Sequence, residues 1–349
     1  CSTVASKWQW LESLADGPVV MGLTSISDVR VAPLVQSKWW QGTVTREDCP
    51  LACYNYYTPP FSTPDGDPNN YVCGCTATAL AQVLRYHRHP KTGIGVHSFG
   101  IRVSGSYTSA NTRGGDGSGG PYSWSDMVLV PDCYTTETQR RAIGAFCYDA
   151  GVSVNMWYSS TGSAANTLQH KNALINIFKY GNAVKGGSNS GGNIGPGLIG
   201  MINPNLDAKD PVTLEIGPSN NHSIVCDGYG YNSSTLYHHL NMGWLGTDDA
   251  WYNLPYIDTS HVPVPYTSVY KCVYNIHVSG AGDGEIISGR VLDSNGIPIA
   301  GATMCAQPLG QVLWITTESD SKGIYAFDCL DSATTYTLYA LADGYVFSA

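Results

Sequence analysis

The run Gly74-Cys75-Thr76-Ala77-Thr78-Ala79-Leu80-Ala81-Gln82-Val83-Leu84-Arg85-Tyr86-His87 sets a thiol at the mouth of a helix-forming stretch. Residues 76–87 contain neither Gly nor Pro. Ala77, Leu80, Ala81 and Leu84 recur at the three-and-four spacing of one buried helical face, and Pro90 closes the segment. The spacing predicts a helix over 76–87 with Cys75 at its start. Unpaired backbone N–H groups and the positive end of the macrodipole favour thiolate there, readying the sulfur to attack a carbonyl.

The bulk composition fits an exported protein. Only 13% of residues are charged, while Gly (39), Tyr (23) and Trp (9) are abundant, and 11 cysteines suit an oxidising compartment. The sequence therefore reads as a secreted chain, extracellular or at a bacterial cell surface, with disulfide bonds. An odd cysteine count leaves one thiol over. Cys73 is too close to Cys75 for an unstrained bond and is expected to pair elsewhere, which leaves Cys75 or Cys1 as the unpaired residue. A net charge of −9 and no Lys/Arg run longer than a dipeptide exclude a nucleic-acid partner. No apolar stretch approaches the ~20 residues that a membrane span requires.

The order of elements gives the architecture. Residues 1–32, with a helical candidate at 6–14, read as a leader or prodomain-derived segment. Helices are expected at 135–149 and 164–179, between Gly-rich loops at 105–120 and 186–200. Strands follow at 212–216, 223–227, 235–240, 250–254 and 268–277. Helices first and sheet later predict an α+β domain over 33–278 with two lobes and a cleft. Residues 279–284 form a linker by composition. Beyond it, short strands at 287–292, 302–307, 312–317, 323–327 and 335–342 predict a small all-β sandwich over 285–349, in which Cys305 and Cys329 are candidates for a staple.

A thiolate nucleophile needs a base, a group to orient that base, and donors for the oxyanion. Of nine histidines, His222 stands out because it opens the apolar run Ser223-Ile224-Val225-Cys226-Asp227, 147 residues after Cys75. Asn241, ending the strand Tyr237-His238-His239-Leu240, is the candidate to hold the imidazole through its amide; a plain turn role is the competing reading. Cys73, Cys75, His87 and His89 resemble a ligand cluster. Their Cys-x-Cys spacing does not suit zinc, and two histidines two apart on a helix face different ways, so no metal or cofactor is expected.

These residues carry a family resemblance. Gly74-Cys75-Thr76-Ala77-Thr78-Ala79 with Gln82, then Asn221-His222-Ser223-Ile224-Val225-Cys226-Asp227-Gly228 and Asn241-Met242-Gly243-Trp244, resemble the streptopain family of papain-like secreted cysteine peptidases. Asp149-Ala150-Gly151-Val152 through Met156, Tyr122-Ser123-Trp124 and Trp40-Gln41-Gly42 fall in the same order, so the likeness spans about residues 33–278. It implies a two-lobed papain-like fold and a cysteine endopeptidase acting on protein or peptide substrates. In it Cys75 would be the nucleophile, His222 the base, Gln41 an oxyanion donor beside the Cys75 N–H, and Trp244 a cleft wall. It also implies a zymogen with an N-terminal prodomain, to which residues 1–32 would belong.

Two departures bear on that expectation. Met242 stands where the family usually has Trp in the cleft wall, and Asn221 and Ser223 replace the Gly and Ala that usually flank the histidine. They motivate a rival reading: a weak or inactive homologue serving as an extracellular structural, assembly or binding protein. The tail, from Gly289-Arg290-Val291 through Gly323-Ile324-Tyr325 to Tyr336-Thr337-Leu338, resembles carboxypeptidase-regulatory-like modules. Such a module, expected to continue beyond Ala349, implies an accessory part with a cell-surface or self-assembly role.

Overall fold

The computed structural model describes residues 22–46, 49–188, 191–218, 221–279 and 284–345. The helical candidate at 6–14 and most of the linker lie outside the described residues. Four helices are described: α1 (Cys75–His87), α2 (Glu137–Ser153), α3 (Gln169–Asn176) and α4 (Gly197–Asp207). The architecture is α+β, two-lobed and papain-like, with a C-terminal all-β sandwich.

The helical lobe is built around α1. Expected to bury one face, α1 instead buries every residue from Thr76 to Arg85, because α2 packs on one side and the central sheet on the other. A capping box fixes the start of α2: the Thr136 hydroxyl accepts from Gln139 N–H while the Gln139 side chain accepts from Thr136 N–H. The lobe's core joins Trp39, Tyr54, Phe146, Phe178 and Met156 to the apolar side chains of α1.

The second lobe is an antiparallel sheet: β7 (Asn182–Gly187), β8 (Val212–Gly217), β9 (His222–Asn232), β10 (Thr235–Asn241), β11 (Ala250–Tyr252) and β12 (Ser268–His277), in the order β11-β10-β9-β8-β12-β7. β1 (Asp28–Val31), which the sequence places in the leader, pairs with the far half of β9. β9 is the seam between the lobes: Val225 packs into the helical core, while Ile224 and Cys226 pack with Leu214, Leu240 and Met242 in the sheet core. α4 covers that sheet face with Leu198, Ile202 and Leu206, one helical stripe at four-residue spacing.

Two hairpins, β2 (Thr43–Arg46) with β3 (Cys49–Ala52) and β4 (Ser98–Val103) with β5 (Ser106–Asn111), and the short β6 (Trp157–Tyr158) beside β4 complete the domain. The C-terminal sandwich has one sheet of β13 (Glu285–Arg290) and β16 (Ile324–Leu330) and another of β15 (Ile315–Glu318), β14 (Thr303–Pro308) and β17 (Tyr336–Leu341). Val291, Met304, Ala306, Phe327 and Leu330 fill it. It docks on α4: Ser288 Oγ donates to Asp207 Oδ2 at 2.7 Å, and Ile324 enters the sheet core of the peptidase domain.

All ten described cysteines are free thiols. The pairings expected for Cys73, Cys305 and Cys329 are therefore not formed here. Cys53, Cys73, Cys147, Cys226 and Cys272 instead serve as small apolar side chains in the two cores.

Candidate active site

Cys75 is the first residue of α1, and Gly74 before it has φ 90°. A Cβ at Gly74 would sit 2.6 Å from the Ser163 carbonyl oxygen, so only glycine lets the chain turn there and present the thiol at the helix mouth. Cys75 as a whole is half-buried. Burial pushes its pKa up. The hydrogen bond and charge of His222, joined by hydrogen bonds from Ser223, outweigh that effect and bring it from 9.0 to about 7.

His222 opens β9, which packs against α1. Its Nε2 lies 2.8 Å from the Met242 carbonyl oxygen. A carbonyl only accepts, so Nε2 carries the proton and Nδ1 is left to face the sulfur, the tautomer a general base needs. The ring stacks on Trp244 at 4.6 Å and 22°, with Tyr266 parallel to it at 6.4 Å. His261 stacks on Trp244 at 4.5 Å and meets Trp40 edge-on. The wall beside the imidazole is thus aromatic. Met242 does not provide it: its side chain is buried in the sheet core while its carbonyl faces His222.

The Asn241 amide is engaged elsewhere. Its Oδ1 accepts from Gln82 Nε2 at 2.8 Å and from Gly243 N–H at 3.1 Å, and its Nδ2 donates to the Ser37 carbonyl at 2.8 Å. Gln82 Oε1 in turn accepts from Ser37 Oγ at 2.9 Å. These bonds tie the end of β10 to α1 and set the 242–244 turn that aims the Met242 carbonyl. The backbone of Gln41 is tied to the segment that leads into α1: its carbonyl accepts from Cys73 N–H at 2.8 Å, and the Thr78 hydroxyl of α1 donates to the Trp40 carbonyl at 3.2 Å.

Beneath the sulfur lies a buried polar set that the sequence did not single out. Ser223 Oγ is 3.1 Å from Thr76 Oγ1 and 2.6 Å from Thr167 Oγ1. Thr76 Oγ1 donates to the Ala165 carbonyl. With Thr76 donating to Ala165 and Thr167 donating to Ser223, the single Ser223 proton is shared between Thr76 Oγ1 and the Cys75 sulfur. Thr167 N–H donates to Glu215 Oε2, and Glu215 also takes bonds from Tyr270 and Lys271. His170 pins the first turn of α1: its Nε2 donates to the Thr76 carbonyl and its Nδ1 accepts from Thr213, while burial pulls its pKa to about 4 and keeps it neutral. The one signal in the sequence was Ser223, as a departure at the histidine's flank.

Comparison with known proteins gives the family and the fold. The sequence model of the Peptidase C10 family matches residues 51–252, and that of the carboxypeptidase regulatory-like domain matches 286–348. Streptopain of Streptococcus pyogenes is 25% identical over 221 residues, 59% of this chain and 53% of its own. The thiol protease/hemagglutinin PrtT of Porphyromonas gingivalis is 26% identical over 234 residues, 64% of this chain and 24% of its own. The chain thus spans about half the length of streptopain and about a quarter of that of PrtT. Among solved structures, active interpain A of Prevotella intermedia matches with TM-score 0.55 at 23% identity, covering 70% of this chain and 93% of that one, and shares the fold. By the extent of the family match, the chain belongs to the Peptidase C10 family.

Proposed function

We propose that this chain is a secreted cysteine endopeptidase that cleaves extended peptides bound across the cleft between its lobes. The observation that carries the reading is Cys75 at the start of α1 facing His222, which opens the strand packed against that helix and is held by the Met242 carbonyl; the hydrogen bond and charge of His222 bring the thiol down to about 7. The Cys75 thiolate attacks the scissile carbonyl, and the Cys75 N–H with the Gln41 side-chain amide receives the oxyanion. His222 Nδ1 then protonates the leaving amine, and water attacks the acyl-enzyme. The Met242 carbonyl and the Trp244 face hold the imidazole through both steps.

The direct test incubates the reduced chain with an unfolded protein such as casein and maps the cleavage products by mass spectrometry. Internal cuts that a thiol-directed epoxide inhibitor blocks are expected. A reduced chain that binds the protein but never cuts it would favour a binding role instead.

Two variants probe the supporting residues. Ser223→Ala should raise the pH midpoint of Cys75 alkylation by about half to one unit, as a bond to an ionised group contributes about 1 kcal/mol or more. An unchanged midpoint would remove Ser223 from the account. Asn241→Ala should lower unfolding stability by about 1–3 kcal/mol through the orphaned Gln82 and Ser37 partners, with a loss of kcat/KM below about ten-fold. A loss as deep as that of His222→Ala, at unchanged stability, would make Asn241 itself the orienting group.

A further inference from the structure

At the junction of the two domains, His277 ends β12, Asp210 lies just after α4, and Asp328 and Cys329 lie in β16 of the sandwich. One ligand atom each from His277, Asp328 and Cys329 lies within 4.8 Å of the others. Strand geometry alone would not do this. Consecutive strand residues point to opposite faces. Here β16 carries an extra residue between the pairs Ile287–Phe327 and Glu285–Leu330, and Cys329 takes φ 56°. The bulge turns both side chains toward one point on the other domain, as bulges do where a side chain must be re-aimed.

The surroundings are a set of acceptors. His277 Nδ1 lies 2.8 Å from Asp210 Oδ2, and Nε2 lies 3.0 Å from the Gly284 carbonyl oxygen. A neutral imidazole with one N–H can donate to only one of them. The Cys329 sulfur faces the Ser279 carbonyl at 3.5 Å. On the far side of Asp210, His87 Nε2 is buried, 3.9 Å from Oδ1, and has no hydrogen-bond partner among the described residues. An imidazolium would donate to both; a cation between Nε2, Asp328 and Cys329 is the other arrangement that the three converging ligand atoms allow. Nδ1–H would donate to Asp210 and the Nε2 lone pair would bind the ion, the carboxylate–histidine–metal arrangement that fixes a ligating imidazole.

We propose that His277 Nε2, the Asp328 carboxylate and the Cys329 thiolate bind one zinc ion that staples the sandwich to the peptidase domain, with Asp210 orienting His277. The mixed N, O and S donors select zinc over calcium or magnesium. Bonds of about 2.0–2.3 Å need the three ligand atoms to close by roughly 1 Å from their widest spacing. Binding releases the thiol proton to solvent.

The test uses the whole chain carrying Cys75→Ala, so that the Cys75 and His222 pair cannot hold the ion. Titration with Co²⁺ should give one equivalent bound, with a thiolate-to-cobalt charge-transfer band that zinc displaces, and zinc should raise the unfolding temperature. Adding Cys329→Ser should abolish the band and weaken zinc binding by about ten-fold or more, at unchanged circular dichroism. Asp328→Asn should weaken binding while keeping the band. No bound metal in the Cys75→Ala chain, or a band and affinity that survive Cys329→Ser, would overturn the site and leave His277 as a doubly hydrogen-bonded imidazolium.

Discussion

Replacing Cys75 with alanine is expected to lower kcat/KM for peptide hydrolysis by at least about 10⁴-fold with little change in stability. The thiol is the only proposed covalent partner of the substrate, and its loss leaves the oxyanion donors with no attacking atom. Removing His222 should cost nearly as much, because the pair acts as a unit. The expectation is specific to this sulfur. Burial raises the pKa of Cys53, Cys147, Cys226 and Cys272, and raises Cys329 to about 11, so these thiols are poor nucleophiles at neutral pH. Steady-state kinetics on a fluorogenic peptide check it. Retention of more than a tenth of the activity in Cys75→Ala would move the chemistry elsewhere.

The largest stability effect is expected at Asp149, which lies on α2 and is wholly buried. Its carboxylate accepts from Arg113 N–H at 2.7 Å, Gly114 N–H at 2.8 Å and the Tyr122 hydroxyl at 2.6 Å, holding the Gly-rich loop against α2. Truncation orphans three buried donors. Asp149→Ala should therefore cost about 3–5 kcal/mol of unfolding free energy, at roughly 1–3 kcal/mol for each unsatisfied group with partial relaxation. Urea unfolding followed by fluorescence reads this directly. A cost below about 1 kcal/mol would mean that the loop is held by something else.

The parts of the fold that the sequence showed are those where one periodicity governs. α1 and the strands β8, β10 and β12 carry their pattern in apolar residues and were expected within a position or so of where they lie, while β9, expected at 223–227, runs on to Asn232. α4 was hidden. It sits partly within a stretch read as a Gly-rich loop and contains Pro204, so its propensity argues against a helix, and only the burial of Leu198, Ile202 and Leu206 on the sheet holds it. β2 and β3 are short and mostly polar, and β5 falls within the stretch read as a Gly-rich loop; the alternation of Phe99, Ile101 and Val103 in β4 was present in the sequence and was overlooked. At the site, Cys75 and His222 stood out by context. The group on His222 Nε2 did not, since a backbone carbonyl at Met242 has no side-chain signature, and Asn241 one residue earlier drew the assignment. Ser223, Thr76 and Thr167 meet only through tertiary packing, from three separate segments.

The central claim is that an imidazole from position 222 ionises the sulfur at position 75 near neutral pH. Carboxamidomethylation of Cys75 by iodoacetamide, followed by peptide mass spectrometry from pH 4 to 10, measures that ionisation without any substrate. The account predicts a rate that rises with a midpoint of about 7 and shifts upward in His222→Ala. A midpoint near 9.0 in the unaltered chain, insensitive to His222, would contradict it.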